Sequence, residues 1–250
     1  MSESDPGTVS TLEYSEEALQ EVRERRLLID QVDRWLYDEI SPYLGQRVLE
    51  VGCGLGNLAR LLADREFYVG TDVSEESVAH VEELYRSQPQ VRAFVADVTG
   101  PEFGRLARFG LDTVVSLNVF EHVGDDLLAL RNACQVLQPG GTVILVVPAH
   151  QRLYGTMDRA IGHYRRYDKR TMELKLAGAG LTPVLQKYIN ALGALGWFLN
   201  GRILRQQVPP SGQLRSFNRL VPFLRRVEGM VDMPFGISLL AVARKGVDGG

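Results

Sequence analysis

The stretch VLEVGCGLGN fills residues 48–57. An apolar run carrying one acid, Glu50, ends in glycines at every second position: Gly52, Gly54 and Gly56. The run reads as a buried strand, the glycines as a tight turn, and the residues from Asn57 onward as the start of a helix. Gly54 and Gly56 permit unusual backbone angles and let a ligand approach the main chain. The helix start offers unpaired N–H groups to a polar or negative group. In an open parallel sheet, ligands sit beyond the carboxyl ends of the strands.

Strand-like and helix-like segments alternate outward from this turn. FYVGTDV (67–73), VRAFVADV (91–98) and LDTVVSLNV (111–119) read as strands. EESVAHVEELYRS (75–87) and DDLLALRNACQVLQ (125–138) read as helices. PGGTVILVVP (139–148) reads as a turn leading into a further strand. Such alternation predicts an α/β, doubly wound, mostly parallel sheet covered on both faces. Downstream, KRTMELKLAGAG (169–180) reads as a helix, LTPVLQKYI (181–189) as a strand and GISLLAVARK (236–245) as the last strand. The organisation expected is a disordered stretch over residues 1–13 and one domain over 14–250. That domain carries an N-terminal helix at 15–43, a lid loop at 149–167 and a helical cap insert at about 191–232.

The 250 residues are 45% hydrophobic and 24% charged, ordinary values for a globular chain. A formal net charge of −3 disfavours a nucleic-acid partner, which calls for a basic footprint. Two cysteines, Cys53 and Cys134, make no disulfide framework and point to a reducing, cytoplasmic setting. The first ten residues lack the apolar core of a secretory leader. No apolar run approaches the ~20 residues of a membrane span.

Two ligand classes compete for the glycine turn. A dinucleotide favours Gly-x-Gly-x-x-Gly, whereas here the spacing is Gly-x-Gly-x-Gly and Glu50 stands two residues before it. An acid is unwelcome beside a pyrophosphate and suits an amino group with positive charge nearby. S-adenosylmethionine carries an ammonium and a sulfonium and no phosphate. Asp72 ends the second strand, where a carboxylate can accept from both hydroxyls of a ribose. Asp97 ends the third, within reach of an adenine amino group.

At this point the chain resembles the class I S-adenosylmethionine-dependent methyltransferases. The resemblance rests on VLEVGCGLG, Asp72, the Ala-Asp-Val around Asp97, LNVFEHV (117–123) and LQPGGTVIL (137–145), in that order. It implies seven strands with the last antiparallel, and S-adenosyl-L-methionine as cofactor. It also implies contacts to that cofactor from Glu50, Gly52, Cys53, Gly54, Gly56, Asp72, Val73, Asp97, Val98, Asn118 and Glu121.

The acceptor side is read from the segments after strands four and five. His163 is the leading candidate base and His122 the second, because imidazole titrates near neutrality. His150, Tyr154, Tyr164 and Tyr167 are candidate acceptor contacts in an aromatic, polar lid. A metal pair from His150 and His163 lacks supporting carboxylates, so no metal is expected. The function expected is methylation of a small, apolar or aromatic biosynthetic metabolite at a hydroxyl. Alternatives are methylation at carbon or nitrogen of a lipid-like or quinone-like acceptor, a peptide or protein substrate, or cofactor binding without catalysis. The cap is read as covering a greasy acceptor or touching a membrane surface, and the chain as a monomer or homodimer.

Overall fold

The computed structural model describes residues 30–206, 211–231 and 233–247. The expected disordered stretch at 1–13 and the first half of the expected helix at 15–43 lie outside these residues. The described part of that helix, α1, runs Asp30–Ile40. Strands β1 (Arg47–Val51), β2 (Phe67–Asp72), β3 (Val91–Val95), β4 (Leu111–Leu117), β5 (Leu137–Pro148), β6 (Leu181–Ile189) and β7 (Ser238–Lys245) form one sheet. Its order is β3-β2-β1-β4-β5-β7-β6. All neighbours are parallel except β7, which runs antiparallel to both β5 and β6. The doubly wound, seven-stranded α/β fold expected from the sequence is the fold observed.

Alternation along each strand makes two cores. Leu49, Val69, Val114, Val143, Leu145, Leu239 and Ala241 face one side. There α4 (Asp126–Val136) and α6 (Lys169–Gly178) cover them with Ala129, Leu130, Ala133, Met172 and Leu176. Val48, Tyr68, Val115, Ile144, Val146, Leu240 and Val242 face the other. That side is covered by α1 through Trp35, Leu36 and Ile40, by α2 (Ala59–Leu62), by α3 (Glu75–Leu84) and by Val221. Trp35 is 1% exposed, and burying a large apolar side chain is worth about 1.5–3 kcal/mol, so α1 is pinned to the sheet.

Three segments differ from the sequence reading. The helix after the glycine turn is a single turn, Ala59–Leu62. The Pro-Gly-Gly stretch lies inside β5, which begins at Leu137. The segment 149–167, expected as one loop, contains a 3₁₀ turn at Gln151–Leu153 and a short helix, α5, at Thr156–Ala160. Beyond β6, helix α7 (Ala191–Trp197) passes into a π-helical turn (Phe198–Ile203), and α8 spans Ser211–Glu228. Among the described residues no helix is long and apolar enough to cross a membrane.

Candidate active site

The turn after β1 is built around glycine. Gly52 has φ +79°, and a Cβ there would lie 2.3 Å from Cγ2 of Val119. Gly54 has φ +48° with no atom within 4 Å of an added Cβ, so open space faces it. Asp72 secures the turn: its Oδ2 accepts from Gly54 N at 2.9 Å and its Oδ1 from Ser74 N at 2.9 Å. A carboxylate has about four acceptor positions, so Asp72 keeps capacity for a ligand while both its oxygens are aimed.

Two cavities meet here. One, of about 290 Å³, is lined by Glu50, Cys53, Gly54, Asn57, Asn118 and others. The second, of about 530 Å³, is lined by Val73, Asp97, Val98, Thr99, His122 and Asp125 among others. Gly52, Asp72 and Val119 line both. Among the described residues neither cavity is lined by lysine or arginine. Gly56 has φ +77° and lines neither cavity.

Glu50 is buried and its Oε2 accepts a short hydrogen bond from the Tyr68 hydroxyl. Burial, then the Glu50 carboxylate, drives the Tyr68 phenol well above its ordinary range, so it stays a donor. Burial first, then Glu50 and Asp72, pushes the Cys53 thiol up to about 12, which leaves it a neutral wall residue and no nucleophile. Asp97 accepts from both N and Oγ1 of Thr99 at 2.8 Å, a closed local turn beside the second cavity. Asn118 sits at φ +56°, a left-handed angle that asparagine tolerates better than most residues.

The short 3₁₀ turn Phe120–His122 after β4 brings Glu121 and His122 against the segment beyond β5. Glu121 is 0% exposed. The His163 ring meets the His122 ring edge-on at 4.7 Å, and His163 Nε2 lies 3.8 Å from Glu121 Oε1. On its other side His163 Nδ1 lies 3.0 Å from Asp158 Oδ1. Asp158 is 0% exposed, and its oxygens also accept from Arg166 Nε (2.7 Å), Gly155 N (2.9 Å) and Trp197 Nε1 (3.2 Å). Burial alone would raise its pKa, but the bonds from His163 and Arg166 outweigh it and hold the carboxyl below its ordinary value. An ionised carboxylate only accepts, so the hydrogen of that contact sits on Nδ1 of His163, and the Nε2 side of the ring faces Glu121. Burial and the neighbouring His163 lower His122 to about 4, while a hydrogen bond to the Gly162 backbone pulls the other way. His122 is therefore neutral at pH 7.

The expected acceptor contacts do not gather into one lid. His150 lies 3.4 Å from Asp168, with its ring tilted against that of Tyr188 on β6 at 4.4 Å. Tyr154 turns inward and donates to His163 O at 2.6 Å. Tyr164 is exposed, with the Arg165 guanidinium over its ring. Tyr167, 2% exposed, corrects the sequence reading most sharply. Its hydroxyl is anchored on Phe120 O and Asp126 Oδ2 at 3.0 and 2.8 Å, so it belongs to the core. His150 lies apart from His163, whose neighbours are Glu121, His122 and Asp158.

Sequence reasoning did not single out Tyr68, Asn57, Ser74, Asp158, Arg166 or Trp197 as site residues. Periodicity marks Tyr68 and Trp197 only as apolar. Their partners, Glu50 and Asp158, are 18 and 39 positions away in the chain.

Comparison with known proteins adds an independent finding. A family described as "Methyltransferase domain" matches residues 49–143. The ubiquinone biosynthesis O-methyltransferase of Aeromonas salmonicida is 30% identical over 112 residues, covering 44% of this chain and 47% of that protein. A probable S-adenosylmethionine-dependent methyltransferase of Mycolicibacterium smegmatis is 33% identical over 105 residues, covering 42% and 38%. The matched region thus spans less than half the length of these relatives. Among solved structures, an S-adenosylmethionine-dependent methyltransferase from Archaeoglobus fulgidus aligns at TM-score 0.60 and 18% identity, covering 92% of this chain and 100% of that one. The [4+2]-cyclase SpnF aligns at TM-score 0.57 and 18% identity, covering 88% and 81%. At such identities the likeness concerns the fold, and a cyclase sharing it shows that fold alone does not fix the reaction.

Proposed function

We propose that this chain, which belongs to the class I S-adenosylmethionine-dependent methyltransferase family, transfers a methyl group to a hydroxyl of a small, apolar or aromatic acceptor. The observation that carries the reading is the wall shared by the two cavities. Gly52, Asp72 and Val119 line both, with acids on either side and, among the described residues, no lysine or arginine in the lining. This donor set fits a cationic ligand without phosphates and does not fit a pyrophosphate. Glu50, Gly54 and Asn118 would hold the amino-acid end of S-adenosylmethionine, Asp72 its ribose hydroxyls, and Val73, Asp97 and Val98 its adenine. When bound, that cofactor supplies an electrophilic methyl on its sulfonium.

The chain's own residues then hold the acceptor and handle its proton. His122 opens onto the second cavity. His163 is set behind it by Asp158, with Nε2 turned toward Glu121. We assign to Glu121, His122 and His163 the task of holding the acceptor hydroxyl and lowering its affinity for its proton. Positioning and proton removal are the two parts of the work a protein contributes to a displacement at methyl.

An apolar acceptor is supported by a third cavity of about 430 Å³, walled by Val32, Leu192, Trp197, Phe217 and Leu220. Trp197 also donates to Asp158, the partner of His163, which links this cavity's wall to the histidine pair through hydrogen bonds. A lipid-like or quinone-like acceptor methylated at carbon or nitrogen, met at the cytoplasmic face of a membrane, is the second reading the same cavity supports.

Titration calorimetry tests the cofactor first. Affinity for S-adenosylmethionine and S-adenosylhomocysteine is expected. No affinity for either, with clear affinity for NAD, would overturn the reading. Methyl transfer from labelled cofactor to a panel of phenols and quinols then tests the acceptor class.

A further inference from the structure

We propose that Trp197 and Asp158 are positioning residues that link the apolar cavity to the His163 ring, so that an apolar group seated between α7 and α8 sets the imidazole. On the methyl-transfer reading, on which this inference rests for the occupant, that group is the apolar part of the acceptor. Trp197 lines the cavity of about 430 Å³, and its Nε1 donates to Asp158 Oδ2 at 3.2 Å. The other oxygen of the same carboxylate, Oδ1, lies 3.0 Å from His163 Nδ1 and accepts from Arg166 Nε at 2.7 Å. A carboxylate is a rigid plane, so a turn that follows the indole carries Oδ1 with it. The Arg166 guanidinium lies over the Trp197 ring at 4.8 Å, which ties the indole to the group a second time. Asp158, His163 and Arg166 are all buried, where hydrogen bonds are stronger than in water.

The element that carries Trp197 is suited to respond. Helix α7 has seven residues and runs into the π-helical turn Phe198–Ile203. So short a helix depends on its packing, and single π-helical turns recur at functional sites. Its two ends are fastened away from the cavity. Asn190 N and Ala191 N donate to the buried Glu228 carboxylate of α8 at 2.8 and 2.9 Å. Thr156 Oγ1 on α5 donates to Gly201 O and Gln206 O at 2.9 and 2.7 Å. Between these anchors Gly193, Gly196 and Trp197 wall the cavity. An occupant therefore meets the segment at the residue that holds Asp158.

The consequence is specificity expressed in turnover. Binding energy from a remote part of a substrate, when it aligns the reacting groups, raises kcat as well as affinity. A tie that served stability alone would leave the His163 ring indifferent to what fills the cavity.

The test is NMR on the full chain without cofactor, labelled with ¹⁵N in tryptophan and histidine and with ¹³C in the methionine methyls, and titrated with octanol. Met157 also lines the cavity, so its methyl reports occupancy independently of the relay. The three resonances are assigned by their loss in Met157→Leu, Trp197→Phe and His163→Gln. In the wild type, octanol should shift the Met157 methyl, Trp197 Nε1 and the His163 ring nitrogens with one Kd. Trp197→Phe keeps a ring under Arg166 and removes the donor, so Met157 should still respond while His163 does not. Leu192→Trp fills the cavity from its exposed edge and should silence Met157 and His163 together, which keeps the question open to decision if Trp197→Phe does not fold. No occupancy, occupancy with His163 unmoved, or a His163 response that survives either variant would overturn the proposal. With phenol and para-octylphenol as acceptors, Trp197→Phe should lower kcat for the octyl compound by up to about 10²-fold, the loss a misplaced group can cause, and so narrow the gap between the two. Methyl transfer to neither phenol would count against the acceptor reading alone, because the NMR titration judges the relay without it.

Discussion

Asp72 shows how much one residue does in this site. It aims two oxygens by accepting from the Gly54 and Ser74 amides, and it borders both cavities. Asp72→Ala is expected to weaken S-adenosylmethionine binding by roughly 2–4 kcal/mol, since charge-assisted hydrogen bonds are worth ~1.5–3 kcal/mol each and do not add. Calorimetry on the folded variant checks this, and an unchanged Kd would refute the assignment. His122 yields a prediction of a different kind. Its pKa falls from 6.5 to about 4 on folding, so between those values the unfolded chain binds more protons. Its contribution to stability is complete above about pH 6.5 and is lost as pH falls toward 4. Thermal melts should therefore show Tm declining through that window, and His122→Gln should make the decline shallower. Equal slopes in both proteins would rule the account out. Asp72 was legible in the sequence because a strand-end acid after a glycine turn has a known use. Tyr68 was not: β1–β2 pairing sets Glu50 beside Gly70, and the bare Gly70 leaves room for the phenol to reach the carboxylate.

At the scale of elements, the sheet and its covering helices were legible, because apolar runs and 3.6-residue periodicity report burial directly. The segment between β5 and α6 was not, since its order comes from buried polar groups. Helix α5 has five residues, too few to stand alone. Asp158 at its third position ties it to His163, Arg166, Gly155 and Trp197, and Arg166 in turn lies over the Trp197 ring at 4.8 Å. A second tie closes the far end. Asp126 on α4 accepts from Lys175, Tyr167 and Arg165 at 2.6, 2.8 and 2.9 Å. Burial would raise its pKa, but the Lys175 and Tyr167 bonds and the Arg165 charge reverse this and lower it. Tyr167→Phe deletes one donor to a buried carboxylate and should cost about 1–3 kcal/mol of stability, read by urea denaturation. If Tyr167 is the core brace described here, KM for the acceptor and Kd for the cofactor should stay as in the wild type. A raised KM with unchanged stability would restore it as an acceptor contact.

The whole molecule carries a formal net charge of −3, yet residues 191–232 hold six arginines against two acids. Folding leaves Arg202, Arg205, Arg215, Arg219, Arg225 and Arg226 exposed. Helix α8 packs inward through Val221 and the half-buried Leu214, Phe217 and Leu224, and Arg225 pairs with Asp38 of α1. Its outer side exposes Leu220 (50%) and Phe223 (67%), with Arg219 and Arg226 beside them in the helix. The neighbouring turn exposes Phe198, Leu199, Ile203 and Leu204 next to Arg202 and Arg205. Apolar side chains flanked by arginine are the composition of a helix lying in an anionic membrane surface. The apolar cavity opens between these same helices, lined by Leu192, Trp197, Phe217 and Leu220. On the second reading of function, an acceptor with a long apolar tail would pass from the bilayer into it. Vesicle cosedimentation measures this directly. Binding to vesicles rich in phosphatidylglycerol should exceed binding to neutral ones and should weaken with salt, because each arginine near the surface adds about 1 kcal/mol that ions screen. Phe223→Asp removes an exposed contact without touching the core, so it should release the protein from vesicles while its melting temperature and cofactor affinity stay unchanged. Equal, salt-independent sedimentation of wild type and variant would show that the arginines and Phe223 serve no membrane role, and the apolar cavity would then belong to a small acceptor taken from solution.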